Sequence, residues 1–228
     1  MSNSERSNSV IEPETTLHTR MLSNWRRRNS LPRRLRRAVR ELRHPIYGFD
    51  WGDPETVEPL TFIKNRWVTP YVRSDQTAVE IGPGGGRWTQ YLLGFQRLYV
   101  VDYYEELLSE LRRNFGRYSN VVFVHNAGTD FPGIPEGEID FVFSFGTFVH
   151  LDAPIVEAYL HNVKAILKHG GNAVIHYADQ TKVMAQENPG FSQNNPDMMR
   201  RMVRGAGFKV LEEDLTTMWH SSLIRFTH

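Results

Sequence analysis

The run "TAVEIGPGGGRWTQYLLGF", Thr77 to Phe95, constrains the fold more than any other part of the chain. An apolar stretch of strand length ends at the alternating glycines Gly82, Gly84 and Gly86, and a stretch of helical character follows at once. Glycine turns a chain sharply at positive φ, so the pattern reads as strand, tight turn, helix. The alternation then continues: "RLYVVD" as strand, "YEELLSELRRNF" as helix, "VVFVHN" and "IDFVFSF" as strands, "PIVEAYLHNVKAILK" as helix and "GNAVIHYA" as strand. Strands alternating with helices predict parallel βαβ units. A last helix, "NPDMMRRMVRGAG", leads to "FKVLEEDL" and "SSLIRFTH", two runs close enough to pair antiparallel. The expected fold class is α/β, a mostly parallel Rossmann-like sheet with an antiparallel C-terminal strand. A site in such a sheet belongs at the carboxyl ends of the strands.

Upstream of the sheet the chain changes character twice. Residues 1–19 are rich in Ser, Asn, Glu and Thr, have little to bury, and are expected to form a disordered tail. Residues 20–45 place Leu31, Leu35, Val39 and Leu42 at helical spacing among arginines, which predicts a basic amphipathic helix. Across residues 1–45 eleven arginines stand against four glutamates, whereas the remainder carries sixteen basic residues against twenty-two acidic ones. A basic arm thus precedes an acidic domain. The arm either packs on its own domain or docks on an anionic surface such as lipid. An acidic domain repels a phosphate backbone over most of its surface, which argues against nucleic acid as a partner. No apolar run approaches the roughly 20 residues that cross a bilayer, and the polar N-terminus lacks a signal-peptide core. The expected location is the cytoplasm, peripheral to the membrane if the arginine helix docks there.

The remainder, residues 46–228, opens on an aromatic segment, 46–72. Asp53 is placed as an N-cap with Pro54 as the first helical residue, and the helix should end before Pro70. Trp51, Trp67 and Tyr71 read either as a lid that stacks on a bound acceptor or as a helix covering the core. Trp51, beside Gly52, suits the lid; Trp67 suits the core.

Two ligand classes are excluded at the glycine turn. The dinucleotide fingerprint needs a third glycine where Arg87 stands, and a GxxxxGK[ST] phosphate loop fails because no Lys-Ser or Lys-Thr pair follows. What remains is Glu80, then Gly82, Gly84 and Gly86, then Asp102 twenty residues after Gly82 at the end of the next strand. A carboxylate there can accept both hydroxyls of a ribose. Glu80, a like charge, would repel a pyrophosphate. The segment "VEIGPGGG" with Asp102 in register resembles a class I S-adenosylmethionine-dependent methyltransferase, over roughly Thr77 to the C-terminus. The resemblance implies S-adenosyl-L-methionine as cofactor. It also implies that Asn126 stands beside the adenine where the family usually has Asp, that Asp140 is structural, and that Ser144, Phe145 and Gly146 close over the methionine end. The competing reading of the turn is a tight strand–helix junction without a ligand, and of Asp102 a helix N-cap.

The chain has no cysteine, so disulfides, thiolate metal sites and cysteine-dependent pyrimidine methylation are impossible. The [DN]PP[YF] tetrad of amine-directed nucleic-acid methyltransferases is replaced by "SFGT". No His pair at i, i+4 and no compact Asp/Asn cluster provides for a catalytic divalent metal. A hydroxyl acceptor then needs a base, and His150 in "GTFVHLD" and His176 in "AVIHYAD" follow or end strands that point at the expected pocket. His150 is the first candidate for general base and His176 the second, with packing histidines as the alternative; Asp152 and Asp179 are candidates to orient them. "SFGTFVHLD" and "VIHYAD" together more loosely resemble bacterial O-methyltransferases of polysaccharide and glycolipid assembly, which implies a sugar or glycan acceptor. A small secondary metabolite as acceptor, or a cofactor-binding assembly partner without chemistry, stand as alternatives.

Overall fold

The computed structural model describes Gly48 and residues 51–228; the expected tail and arginine helix, 1–19 and 20–45, lie outside the described residues. Seven strands form one sheet: β1 Thr77–Ile81, β2 Arg97–Asp102, β3 Val121–His125, β4 Ile139–Ser144, β5 Leu167–Ala178, β6 Lys209–Asp214 and β7 Ser221–Thr227. Their order is β3-β2-β1-β4-β5-β7-β6. β1 pairs parallel with both β2 and β4, β4 with β5, and β2 with β3. Only β7 reverses, lying antiparallel between β5 and β6. The chain therefore runs outward from β1 to β3 and then restarts at β4 on the other side of β1. That reversal opens a crevice at the carboxyl ends of β1 and β4.

The helices are α1 Glu58–Ile63, α2 Thr89–Leu92, α3 Glu105–Phe115, α4 Ala153–Ile166, α5 Val183–Gln186 and α6 Pro196–Gly205. On one face of the sheet α1, α2 and α3 cover a core of Leu60, Ile63, Leu92, Leu108 and Leu111 packed on Ala78, Leu98, Val100, Phe141, Phe143 and Val174. On the other, α4 and α6 bury Val156, Leu160, Val163 and Met199.

Four boundaries differ from expectation. Pro54 does not open the helix: Asp53 accepts from the Glu55 amide across a short turn, and α1 begins only after Val57. Beyond Ile63 the helix widens into a π turn, Lys64–Val68, and tightens into a 3₁₀ turn, Thr69–Tyr71, that includes Pro70. The run after the glycines forms one α-turn rather than a long helix, because Gly86 at φ 97° and the turns around it precede Thr89. β5 begins at Leu167, four residues before the expected start, with a register shift against β4.

Candidate active site

Side chains alternate across a strand, so the core face can be followed residue by residue to the strand ends. Two positions beyond Ala78 stands Glu80; two beyond Val100, Asp102; two beyond Phe143, Phe145; two beyond Val174, His176. The same face that buries aliphatic residues mid-sheet thus presents two carboxyls, an aromatic ring and an imidazole at its carboxyl edge. All four are buried.

Two tethers hold the loops together over the crevice. Ser144 Oγ donates to the Ile81 carbonyl at 2.8 Å, and Thr147 Oγ1 donates to the Gly82 carbonyl at 3.1 Å. Gly82, at φ 68°, has no room for a β-carbon: one would lie 2.0 Å from Thr147 Oγ1. Gly86 is closed in the same way by Phe115 and Leu111. These two glycines are required by packing and by positive φ, which makes the turn a junction in its own right as well as a cradle.

Burial dominates the electrostatics. Glu80, capped by a hydrogen bond from Thr89 Oγ1 at 2.6 Å, has its pKa pushed up to about 8 by burial, against which the Thr89 bond works. Asp102 is raised to about 6 by burial, opposed by backbone N–H groups including those of Tyr104 and Gly84. Its Oδ1 accepts from the Tyr104 amide at 3.0 Å in a turn ahead of α3, whose N-cap is Tyr104 without a side-chain cap, so the alternative of Asp102 as a helix N-cap does not hold. Asn126 gives its amide nitrogen to the Gly128 carbonyl and to Tyr159, while its Oδ1 is buried with no hydrogen-bond partner. An orphaned acceptor at the end of β3 is a place for an amino group supplied by a ligand.

The two histidines differ. His176 Nδ1 accepts from the Gly146 amide at 3.1 Å, so its Nε2–H donates to Ser221 Oγ at 2.6 Å. Burial, with the charge of His220 next, drives its pKa well below the ordinary value, and Phe145 stacks on it at 3.9 Å. It is a neutral imidazole that holds the Phe145–Gly146 turn. His150 is half-buried on the 3₁₀ turn Phe148–His150. Its Nδ1–H donates to the Gly190 carbonyl at 2.6 Å, which places the ring's basic lone pair on Nε2. Edge-to-face contacts run from His150 to Phe191, to His220 and to His176, making one wall.

Asp179 does not orient either histidine: it binds Thr181, Ser222 and Lys182. Asp152 stands at the start of α4. Asp140 is structural, accepting from the Thr77 amide and pairing with Lys168. Ser221, Phe191, His220 and Arg87 were not singled out from the sequence as site residues. Only Arg87 gave a local signal, as the residue that breaks the dinucleotide fingerprint.

Residues 78–171, from β1 into β5, match the family model described as a methyltransferase domain. No curated protein matches the chain by sequence. Among solved structures, an S-adenosylmethionine-dependent methyltransferase from Mesorhizobium loti aligns with a TM-score of 0.63 at 13% identity, covering 76% of this chain and 99% of that one. The glycopeptide N-methyltransferase MtfA, complexed with S-adenosylmethionine, aligns at 0.59 and 15% identity over 73% and 86% of the two chains. The CurJ carbon methyltransferase aligns at 0.53 and 16% over 68% and 49%. These likenesses establish the fold, a class I methyltransferase sheet. Residues 78–171 thus match a methyltransferase domain on a methyltransferase sheet, and the residues present fit S-adenosylmethionine as cofactor: the open Asn126 acceptor faces no protein donor among the described residues, and the Asp102 carboxyl sits at the end of β2.

Proposed function

We propose that the enzyme methylates a hydroxyl group, with His150 as general base and a sugar, polysaccharide or glycolipid as the class of acceptor. S-adenosylmethionine, when bound, supplies an electrophilic methyl group. The nucleophile then has to be aligned and relieved of its proton, because an alcohol is a poor nucleophile until the proton leaves. The observation that carries the reading is the 2.6 Å bond from His150 Nδ1–H to the Gly190 carbonyl. It leaves Nε2 as the proton acceptor and fixes the ring's orientation. His176 is unsuited to that task, since both its nitrogens are engaged and burial lowers its basicity. In this reading Glu80, Asp102 and Asn126 bind the cofactor, the turns at Gly82, Gly84 and Gly86 let it approach the backbone, and Ser144 and Phe145 border its methionine end.

Trp51, 52% exposed and within cation–π range of Arg87, supports a lid that stacks on a ring-shaped acceptor and sheds water. Trp67, by contrast, is in the core. The fold does not choose the acceptor atom, as its nitrogen- and carbon-methylating neighbours make plain, and a small secondary metabolite is the second reading. We also propose that the arginine-rich segment 20–45 docks on anionic lipid.

Replacing His150 by Ala tests the base directly. Methyl transfer should slow by about 10² to 10⁴ with cofactor affinity nearly unchanged. If His176→Ala alone gave that pattern, the base would be His176.

A further inference from the structure

Arg87 is the buried charge that the site as described leaves unexplained. Its residue is 6% exposed. Among the described residues one of its five N–H donors reaches a protein acceptor, Nη1 to the Gly52 carbonyl at 3.1 Å. Otherwise the guanidinium lies against rings: Phe145 at 5.6 Å, Trp88 and Trp51 at 5.9 Å each. Among the described residues no carboxylate stands within ion-pair distance of it. Lys182, the other cation of this region, is treated differently: it has Asp179, the carbonyls of Met218 and Ser221, and the Ser222 hydroxyl.

A buried cation without a counter-charge is costly, and stacking on rings offsets only part of that cost. Such a residue is retained at a loss in the ligand-free protein unless a bound molecule completes it. The position is informative as well. Arg87 follows Gly86 in the turn and rests on one side of the Phe145 ring, whose stacking partner on the sheet is His176. It therefore borders the crevice on the glycine-turn side, between Phe145 and the aromatic segment.

We propose that Arg87 is an anion-binding residue of this site and that it takes a carboxylate or a comparable planar or tetrahedral oxyanion carried by a bound molecule. A planar guanidinium with unused parallel N–H pairs is the fork such a group fits. Two molecules can bring it: the cofactor, through its methionine carboxylate, or an acidic acceptor, such as a uronic acid or a phosphorylated sugar. The inference rests on the methyl-transfer reading for the identity of the carrier only; the open cation stands without it.

Calorimetry on the full chain, wild type and Arg87→Gln, separates the sources, using S-adenosylhomocysteine and 5′-methylthioadenosine, which lacks the carboxylate. If the cofactor carries the anion, Arg87→Gln weakens S-adenosylhomocysteine by about tenfold to a hundredfold and leaves methylthioadenosine unchanged. If the acceptor carries it, both nucleosides bind the variant normally. Acetate or inorganic phosphate added to the wild-type complex then changes the fluorescence of Trp51 and Trp88 and raises the melting temperature at constant ionic strength, and both responses vanish in Arg87→Gln. Failure of S-adenosylhomocysteine to bind wild type would refute the cofactor assignment alone, and the acetate and phosphate titrations would still decide on Arg87. Arg87→Lys, which keeps the charge and loses the fork, should retain part of the response and serves if the glutamine variant does not fold. Unchanged nucleoside affinities together with no anion response in wild type would overturn the proposal.

Discussion

Glu80 and Asp102 end two neighbouring strands as buried carboxyls, and burial sets how each responds to pH. The raised pKa of Glu80, about 8 against an ordinary 4.5, means that its neutral form is the one the fold prefers. Its contribution to stability is fully present below about 4.5 and is lost as pH rises through 8. Glu80→Gln keeps an acceptor for Thr89 and cannot ionise. The ligand-free variant should gain melting temperature over wild type progressively from about pH 4.5 to 8 and hold a constant advantage above that. A flat difference across this range, read by scanning calorimetry, would contradict the assignment. Asp102 belongs to the ligand instead: Asp102→Ala should weaken S-adenosylhomocysteine by about 1.5–3 kcal/mol, the range for hydrogen bonds to a charged group. Wild-type affinity should fall as pH drops through about 6, where the carboxyl takes up its proton.

At the scale of elements, the glycine turn and the aromatic segment each divide into parts with different work. A β-carbon on Gly86 would lie 2.2 Å from Phe115, and its φ of 97° strains any other residue. Gly86→Ala should cost at least the ~1–3 kcal/mol of backbone strain, measured by urea unfolding, whether or not cofactor is present. In the segment before β1, Trp67→Ala should cost about 3–5 kcal/mol as a large core truncation. Trp51→Ala should stay within ~0.5 kcal/mol of wild type and lower turnover. Strands β1 to β5 were legible because buried parallel strands are short apolar runs between glycine and polar punctuation. The carboxyl-edge positions Glu80 and Asp102 were legible from their spacing to the glycines and the next strand end, whereas the face that His176 takes on β5 was not, because alternation allows either one. The short α2 was not legible: positive φ at Gly86 overrides a helical composition in "RWTQYLL". Nor were Ser221 and His220, which reach His176 only through the antiparallel pairing of β7 with β5, a contact 45 residues distant in the chain for Ser221. His150 and His176 looked alike in sequence. The hydrogen bonds made by Gly190 to one and by Gly146 and Ser221 to the other distinguish them.

For the whole molecule, the sheet order places β1 and β4 at a reversal, so that loops from both converge on one crevice, and in sequence the arginines cluster in residues 1–45. Among the described residues no helix is long and apolar enough to cross a membrane. Attraction of the arginine segment to anionic lipid, worth about 1 kcal/mol per basic residue near the surface, is screened by salt. Deleting residues 1–44 should therefore abolish flotation with anionic liposomes at low salt and spare turnover of a soluble acceptor. Equal flotation of both proteins would remove the membrane from the account. The central claim is transfer of a methyl group to oxygen by a base on the 3₁₀ turn after β4. Its most direct test is incubation of wild type and His150→Ala with methyl-labelled S-adenosylmethionine and a cell extract, followed by mass spectrometry of the labelled product. An O-linked labelled methyl group formed by wild type, and formed at least about a hundredfold more slowly by the variant, is the predicted result. Label on nitrogen or carbon, or equal rates for the two proteins, would contradict it.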